Sequence, residues 1–318
     1  MRDSFGRNIN YLRVSLTDRC NLRCRYCMPE EGINPKLDHE DIITLEETYE
    51  LIKSFVNLGI DKIRFTGGEP LVRKGVLDLI YKVSKLEGIK DIAMTTNGLL
   101  LKDMAKSLKE AGLNRVNISL DTLDEYKYYN ITRGGKLSRV LEGIEEALKV
   151  GLWPIKINTV LIGGFNDDEV VDLVNLTKKG IDIRFIELMP IGQAVDFAQE
   201  KFVSNDKVLG LVQSLKPVDK EDPSSPANYY ALPNATGKVG LINPISCKFC
   251  NSCNRVRLTS TGKLKLCLHS NREIDLKKPL RDGKDLDKIV MEAIFTKEEK
   301  HRLEEEEYIN RNMNQIGG

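Results

Sequence analysis

The sequence predicts an α/β fold: a parallel sheet of about six strand–helix units, curved so that one face is apolar and the other polar. Two observations carry this. Short strand-like runs alternate with amphipathic runs from Tyr11 to about Met189, and such alternation implies parallel strands joined by right-handed crossovers. The strands are also not apolar throughout, as strands covered by helices on both faces would be. After Met189-Pro190 the alternation stops, which divides the chain into a core of residues 1–190 and a smaller C-terminal region of residues 191–318.

The strands read Tyr11–Thr17, Lys62–Thr66, Asp91–Thr96, Arg115–Asp121, Pro154–Leu161 and Asp182–Met189. Thr44–Leu58 is the clearest helix. Thr44 with Glu47 forms a capping box, Leu45, Tyr49, Ile52 and Val56 follow helical spacing, and Gly59 closes it. Leu101–Ala111 and Leu137–Val150 likewise end at Gly112 and Gly151. Alternation along a strand sends successive side chains to opposite faces. Val14 and Leu16 thus oppose Arg13, Ser15 and Thr17; Ile63 and Phe65 oppose Arg64 and Thr66. Ile118 and Leu120 oppose Asn117, Ser119 and Asp121, and Ile155 and Ile157 oppose Lys156 and Asn158. Four strands with one apolar and one polar face predict a curved sheet whose concave side binds a polar ligand.

Beyond residue 190, Asp219–Asn228 reads as a loop, and Tyr229–Leu232, Gly237–Ile242 and Arg255–Leu266 read as strands of a small second unit. Asp285–Lys300 reads as a helix and Glu304–Glu307 as a solvated face.

Composition narrows the function classes. In 318 residues, 41% are hydrophobic and 30% charged, which describes a globular protein. The net charge of +1 gives no global basic field for nucleic acid. No apolar run approaches the ~20 residues that span a bilayer, and the N-terminus lacks a signal peptide's apolar core. A cytoplasmic protein with no membrane or nucleic-acid partner is expected. Its seven cysteines then suit metal or catalytic use better than disulfides.

Cys20, Cys24 and Cys27 form a C-x3-C-x2-C run. Soft thiolates select zinc, copper(I) or iron–sulfur clusters. Three ligands on a four-iron cubane leave one iron open, as catalytic metal sites require. No further Cys follows before Cys247, and a single His, His39, lies between. The second group is Cys250-x2-Cys253-x13-Cys267. Taken alone it fits half a zinc ribbon as well as a cluster. Thr66-Gly67-Gly68-Glu69-Pro70 follows the second strand, where parallel sheets bind ligands; its glycines admit close backbone approach, and Glu69 could receive an ammonium.

The first triad, with Tyr26 before its last cysteine, resembles the signature of radical S-adenosylmethionine (SAM) enzymes. Thr66–Pro70 resembles that family's GGEP motif. The stretch Phe249–Leu258 with Gly262-Lys263-Leu264 and Cys267-Leu268 closely resembles one branch, the GTP 3′,8-cyclases that open molybdenum cofactor biosynthesis. The likeness covers nearly the whole chain, including Arg13, Arg64, Thr95-Thr96-Asn97-Gly98, Lys156, Arg255-x-Arg257 and the terminal Gly317-Gly318.

The resemblance implies a partial (β/α)6 TIM-like barrel of the radical SAM type, with the smaller C-terminal α+β unit closing the barrel opening. It implies two 4Fe-4S clusters, on Cys20, Cys24 and Cys27 and on Cys250, Cys253 and Cys267. SAM would chelate the open iron of the first, with Tyr26 near the adenine, Gly68 in the motif that holds the methionyl amine, and Ser119 and Met189 lining the pocket. GTP would meet the second cluster through guanine, and Arg13, Arg64, Thr95, Lys156, Arg255 and Arg257 would bind it. Gly317 and Gly318 would enter the cavity. A 5′-deoxyadenosyl radical would take hydrogen from C3′ of GTP, and C3′ would then attack C8. A flavodoxin- or ferredoxin-type reductant, a downstream cyclic pyranopterin monophosphate synthase and a homodimer complete the expected partners.

The physics agrees. Arg255 and Arg257, two apart on a strand, share a face, and charge-assisted bonds to phosphate contribute about 1.5–3 kcal/mol each. No Walker-type Gly-rich loop is present, so side chains must hold the phosphates. Two rivals remain: a radical SAM enzyme acting on a peptide with a closed auxiliary cluster, and a non-enzymatic metal protein. The cationic strand faces oppose the first and GGEP opposes the second. Cys247 departs from the branch pattern; it could add a fourth ligand to the second group or be a spare, buried cysteine. His39, His269 and His301 are scattered and read as ordinary residues, although His269 could touch the second site.

Overall fold

The computed structural model describes residues 1–32, 40–301 and 308–317, the Gln193 side chain excepted. The expectations for His39, Glu304–Glu307 and Gly318 lie outside the described residues. Six parallel strands form the centre: β1 (Tyr11–Ser15), β2 (Lys62–Thr66), β3 (Asp91–Thr96), β4 (Arg115–Ser119), β5 (Lys156–Leu161) and β6 (Asp182–Glu187). Helices α1 (Leu45–Asn57), α2 (Val76–Ser84), α3 (Leu101–Glu110), α4 (Glu125–Thr132), α5 (Leu137–Lys149) and α6 (Val170–Asn175) lie along the connections.

Helix α1 forms for the reasons legible in its sequence. The Thr44 hydroxyl accepts from the Glu47 N–H at 3.1 Å, the Glu47 carboxylate accepts from the Thr44 N–H at 2.8 Å, and Gly59 turns out of the helix at φ +98°. Its buried stripe of Leu51, Ile52 and Phe55 packs into the core that also holds Leu12, Val14, Ile63 and Phe65 from the outer strand faces. Each such side chain stabilises the fold by about 1.5–3 kcal/mol.

The C-terminal strands do not form a unit of their own. β7 (Lys216–Val218), β8 (Ala227–Ala231) and β9 (Val239–Ile242) extend the sheet beyond β6. β10 (Arg255–Leu258), β11 (Lys263–Lys265) and β12 (Ile274–Asp275) extend it beyond β1. The order is β12-β11-β10-β1-β2-β3-β4-β5-β6-β9-β8-β7. β9 pairs parallel with β6 and β10 parallel with β1, so both edges of the barrel sheet find partners and their backbone groups are satisfied. The run expected as one strand over Arg255–Leu266 is a hairpin, turned at Gly262 (φ +76°). The remaining helices are α7 (Val195–Lys201), α8 (Asp206–Leu211), α9 (Lys277–Arg281), α10 (Leu286–Phe295) and α11 (Met313–Ile316). Among the described residues no helix is long and apolar enough to cross a membrane.

Candidate active site

The inner strand faces enclose a cavity of about 840 Å³, at the upper end of the ~300–1,000 Å³ typical of ligand sites. Cys20, Cys24 and Cys27 line it at the C-terminal ends of the barrel strands. Cys250, Cys253 and Cys267 line it beside the start of β10. Tyr26, Gly68, Ser119, Met189, Arg13, Arg64, Thr95, Lys156, Arg255 and Arg257 also line it. Among the described residues, no group of three or more His, Cys, Asp or Glu side chains is placed to hold a metal ion. Cys247 is exposed and outside the cavity lining; the expectation of a buried spare cysteine is corrected, because its segment runs along the surface before Cys250.

The first triad sits on a loop held from three sides. GGEP packs against it: the Gly68 N–H donates to the Thr17 carbonyl at 2.7 Å and the Glu69 N–H to the Arg19 carbonyl at 2.9 Å. A Cβ on Gly68 would lie 2.3 Å from the Arg19 carbonyl oxygen, and one on Gly67 2.5 Å from that of Thr17. The glycines thus serve approach by the chain's own loop as well as by any ligand. Glu69 is fully buried, outside the lining, and accepts from Leu71 N–H (3.0 Å), the Thr96 hydroxyl (2.8 Å) and Asn97 N–H (2.7 Å). In this structure its oxygens join β2 to the end of β3. Burial raises its pKa to about 7, against the three hydrogen bonds.

Tyr26 donates to Asp121 at 2.5 Å, and the other Asp121 oxygen accepts from Val160 N–H at 2.9 Å. Burial raises Asp121 to about 6. Burial, then the neighbouring Cys20, pushes the Cys27 thiol up to about 12, against a backbone N–H of Asn314. Such thiols ionise when a metal cation supplies the compensating charge. In the second triad burial opposes ionisation of Cys253, yet Lys297, Arg255 and Arg7 hold it below the usual thiol range.

Between the triads lies a band of cations. Arg257, Arg13 and Arg64 are register partners on β10, β1 and β2. Burial brings Arg64 and Arg257 down to about 10, with the Arg255 charge adding to the effect on Arg257; both stay charged at neutral pH. The buried Nε atoms of Arg64, Arg184 and Arg255 and the Thr95 hydroxyl have no hydrogen-bond partner among the described residues. Lys156 differs, since its ammonium already pairs with Asp182 at 3.1 Å.

Gly317 reaches this band. Arg257 donates to its carbonyl. A Cβ there would lie 2.5 Å from the Thr66 hydroxyl. The tail is anchored by Ile309 and Ile316, which pack on Ile191, and by Asn314, which donates to the Asp18 carbonyl at 3.0 Å.

Several lining residues escaped the sequence reading. Arg184 shares the inward face of β6 with Asp182, so alternation could have found it; Lys62 and Arg115 follow in the same way. His269 and His301 are not scattered: their rings lie 4.8 Å apart beside Cys267 on the cavity wall.

Comparison with known proteins agrees with this architecture. Residues 14–177 match the radical SAM superfamily model and residues 181–303 the Molybdenum Cofactor Synthesis C model. The chain is 62% identical to GTP 3′,8-cyclase of Peptoclostridium acidaminophilum, over 99% of this chain and 98% of that one. It is 56% identical to the Alkaliphilus oremlandii GTP 3′,8-cyclase over the full length of both. In fold it resembles a crystal structure of Streptococcus suis SuiB bound to S-adenosylmethionine, with a TM-score of 0.61 and 15% identity, over 97% of this chain and 76% of that one. With two domain models in order, full-length identity above one half and the cysteines of both triads on one cavity, the chain belongs to the GTP 3′,8-cyclase family of radical SAM enzymes.

Proposed function

We propose that this protein converts GTP to (8S)-3′,8-cyclo-7,8-dihydroguanosine 5′-triphosphate, the first step of molybdenum cofactor biosynthesis. The observation that carries the reading is that both cysteine triads and the cation band line one cavity. Cys20, Cys24 and Cys27 would hold a 4Fe-4S cluster with one iron open, and Cys250, Cys253 and Cys267 a second. The donor sets fit: each is all thiol and lines the cavity, and three thiolates on a four-iron cluster would leave one iron for a ligand. When bound, the first cluster and SAM together supply a 5′-deoxyadenosyl radical.

The chain itself positions and neutralises. Tyr26, fixed by Asp121, with Gly68, Ser119 and Met189, would hold SAM beside the first triad. Arg13, Arg64, Arg255 and Arg257, with Arg184, would take the triphosphate. The unpartnered Nε–H groups of Arg64, Arg184 and Arg255 and the Thr95 hydroxyl would then gain acceptors, which removes the cost of burying them alone. Lys156 would exchange Asp182 for a phosphate or hold both. Gly317, with Gly318, would close the cavity wall beside the substrate and exclude water from the reacting ribose. A flavodoxin- or ferredoxin-type reductant would deliver electrons. The product would pass to cyclic pyranopterin monophosphate synthase, in the cytoplasm, and a homodimer is compatible with this arrangement. A peptide substrate suits the site less well, because several buried arginines, three of them with an Nε–H left without an acceptor, ask for a multiply charged anion.

The test is anaerobic incubation of cluster-reconstituted protein with dithionite, SAM and GTP, followed by mass analysis of the nucleotides. A product isomeric with GTP, formed with 5′-deoxyadenosine and methionine, supports the reading. SAM cleavage with GTP recovered unchanged overturns it.

A further inference from the structure

The arginines around the first triad fall into two sets. One faces the cavity. The other comprises Arg19, Arg23, Arg25 and Arg73, none of which contributes to the cavity lining. Chain geometry keeps them close to the cysteines: Arg19 adjoins Cys20, and Arg23 and Arg25 flank Cys24, so their Cα atoms lie ~3.8 Å from those of cysteines. Arg19 and Arg25 are exposed. Arg23 donates to the Cys20 and Leu22 carbonyls, Arg25 to the Asn130 carbonyl and Arg73 to the Ile43 carbonyl. These are neutral acceptors, so they leave the positive charges in place. Arg73 also feels the charge of Arg19, which joins the two into one patch. Of the nearby acids, Glu30 pairs with Arg133 at 3.7 Å, and Glu46 offsets part of the Arg73 charge. The whole chain carries only +1, so this concentration of charge is local.

Next to it, α4 turns two aromatic rings to solvent. Tyr126 and Tyr129 are 78% and 58% exposed and, three apart on a helix, share a face. α4 is bound to the cysteine loop, since Arg23 and Arg25 N–H groups donate to the Thr132 and Ile131 carbonyls at 3.1 and 3.0 Å. The aromatic and cationic patches are therefore carried by the cysteine loop and the helix bound to it, outside the cavity lining. Tyr and Arg are the residues that dominate protein-binding surfaces, and clustered positive charge steers acidic partners.

Resting on the reading of the first triad as a 4Fe-4S site, we propose that Arg19, Arg23, Arg25 and Arg73, with Tyr126 and Tyr129, form the docking face for an acidic one-electron carrier protein. The carrier is oxidised by one electron and the cluster reduced by one; no proton or covalent bond moves. The inner arginines then serve the substrate and the outer ones the electron donor, from opposite sides of the same loop.

The test uses the reconstituted full chain and a fluorescently labelled, oxidised flavodoxin of net negative charge, titrated by anisotropy at low and high salt. Wild-type protein should bind, and added salt should weaken the complex. The double substitution Arg19→Glu, Arg25→Glu should raise Kd at least about tenfold and flatten the salt dependence, at unchanged iron content and circular dichroism. Tyr126→Ala should weaken binding without changing the salt slope. Lys106→Glu with Lys109→Glu, an equal charge change on the exposed side of α3, should leave Kd unaltered. In turnover, the double variant should lose 5′-deoxyadenosine formation driven by reduced flavodoxin and keep that driven by dithionite. Unchanged affinity in the double variant overturns the docking face. So do equal losses with both reductants, or wild-type binding to a DNA oligonucleotide or phosphatidylserine vesicles as tight as to flavodoxin. If wild-type protein cleaves no SAM even with dithionite, it is the cluster reading that fails, while the binding titration still scores the face.

Discussion

Gly317→Ala tests whether the tail acts in catalysis, and the structure sets its size. Gly317 has φ +72°, in the left-handed region that costs a residue with a Cβ about 1–2 kcal/mol. The added carbon would lie 2.5 Å from the Thr66 hydroxyl and 3.1 Å from Ser15 Cβ, and both neighbours stand on strands that cannot retreat. The backbone cost alone shifts the tail outward by a factor of roughly 5–30, and the contact adds to it. The C-terminal segment should stay docked, because Ile309 and Ile316 remain packed on Ile191. At most the Arg257 bond to the Gly317 carbonyl is lost, about 1.5–3 kcal/mol for a charge-assisted bond. The assay is the ratio of cyclised nucleotide to 5′-deoxyadenosine in single turnovers, beside a denaturant midpoint. SAM cleavage should persist while the ratio falls at least about tenfold. Adding Thr66→Ala, which removes the nearest atom, should restore part of it. A wild-type ratio in Gly317→Ala would refute the tail's place in the site.

Three further outcomes follow from the same geometry. Arg257→Ala should weaken GTP binding by about 10- to 100-fold and weaken guanosine binding far less; equal losses would indicate damage to the fold. Cys24→Ala should lower iron per chain by about half and abolish 5′-deoxyadenosine; wild-type SAM cleavage would remove the first triad from the chemistry. Glu69, raised to about 7 by burial from 4.5, binds its proton more tightly folded than unfolded. Its ionisation therefore costs stability progressively between pH 4.5 and 7 and fully above, by about 3 kcal/mol. Between pH 6 and 8 the unfolding free energy of Glu69→Gln should fall less than that of wild type, and parallel slopes would contradict the assignment.

How much of this was legible in the sequence depends on how local each signal is. β2 and β3 have the bounds read from the sequence; in β2 alternation is the reason, because Ile63 and Phe65 face the core while Arg64 and Thr66 face the cavity. The capping box of α1 lies within four residues and was equally plain. Helix α4 was not, since its exposed Tyr126 and Tyr129 blur any apolar stripe. Pairing of β10 with β1 joins residues more than 240 positions apart, which local pattern cannot report. The burial of Glu69 depends on Thr96 and Asn97 arriving from the next strand, which the motif alone does not report. Arg184 obeys the same alternation as Arg64 and was missed because a single inward cation between apolar neighbours resembles an ordinary strand.

The proposed reaction requires two open clusters on the single cavity that both cysteine triads line. Cys250 lines that cavity and Cys247 does not. The decisive measurement is therefore iron per chain and yield of cyclised nucleotide for Cys250→Ser and Cys247→Ser, reconstituted side by side without oxygen. Cys250→Ser should lose the second cluster and the product while keeping some SAM cleavage, and Cys247→Ser should keep full iron and full yield. Loss of iron and product in Cys247→Ser to the same extent would mean a second site closed by four cysteines, and would contradict a substrate held at its open iron.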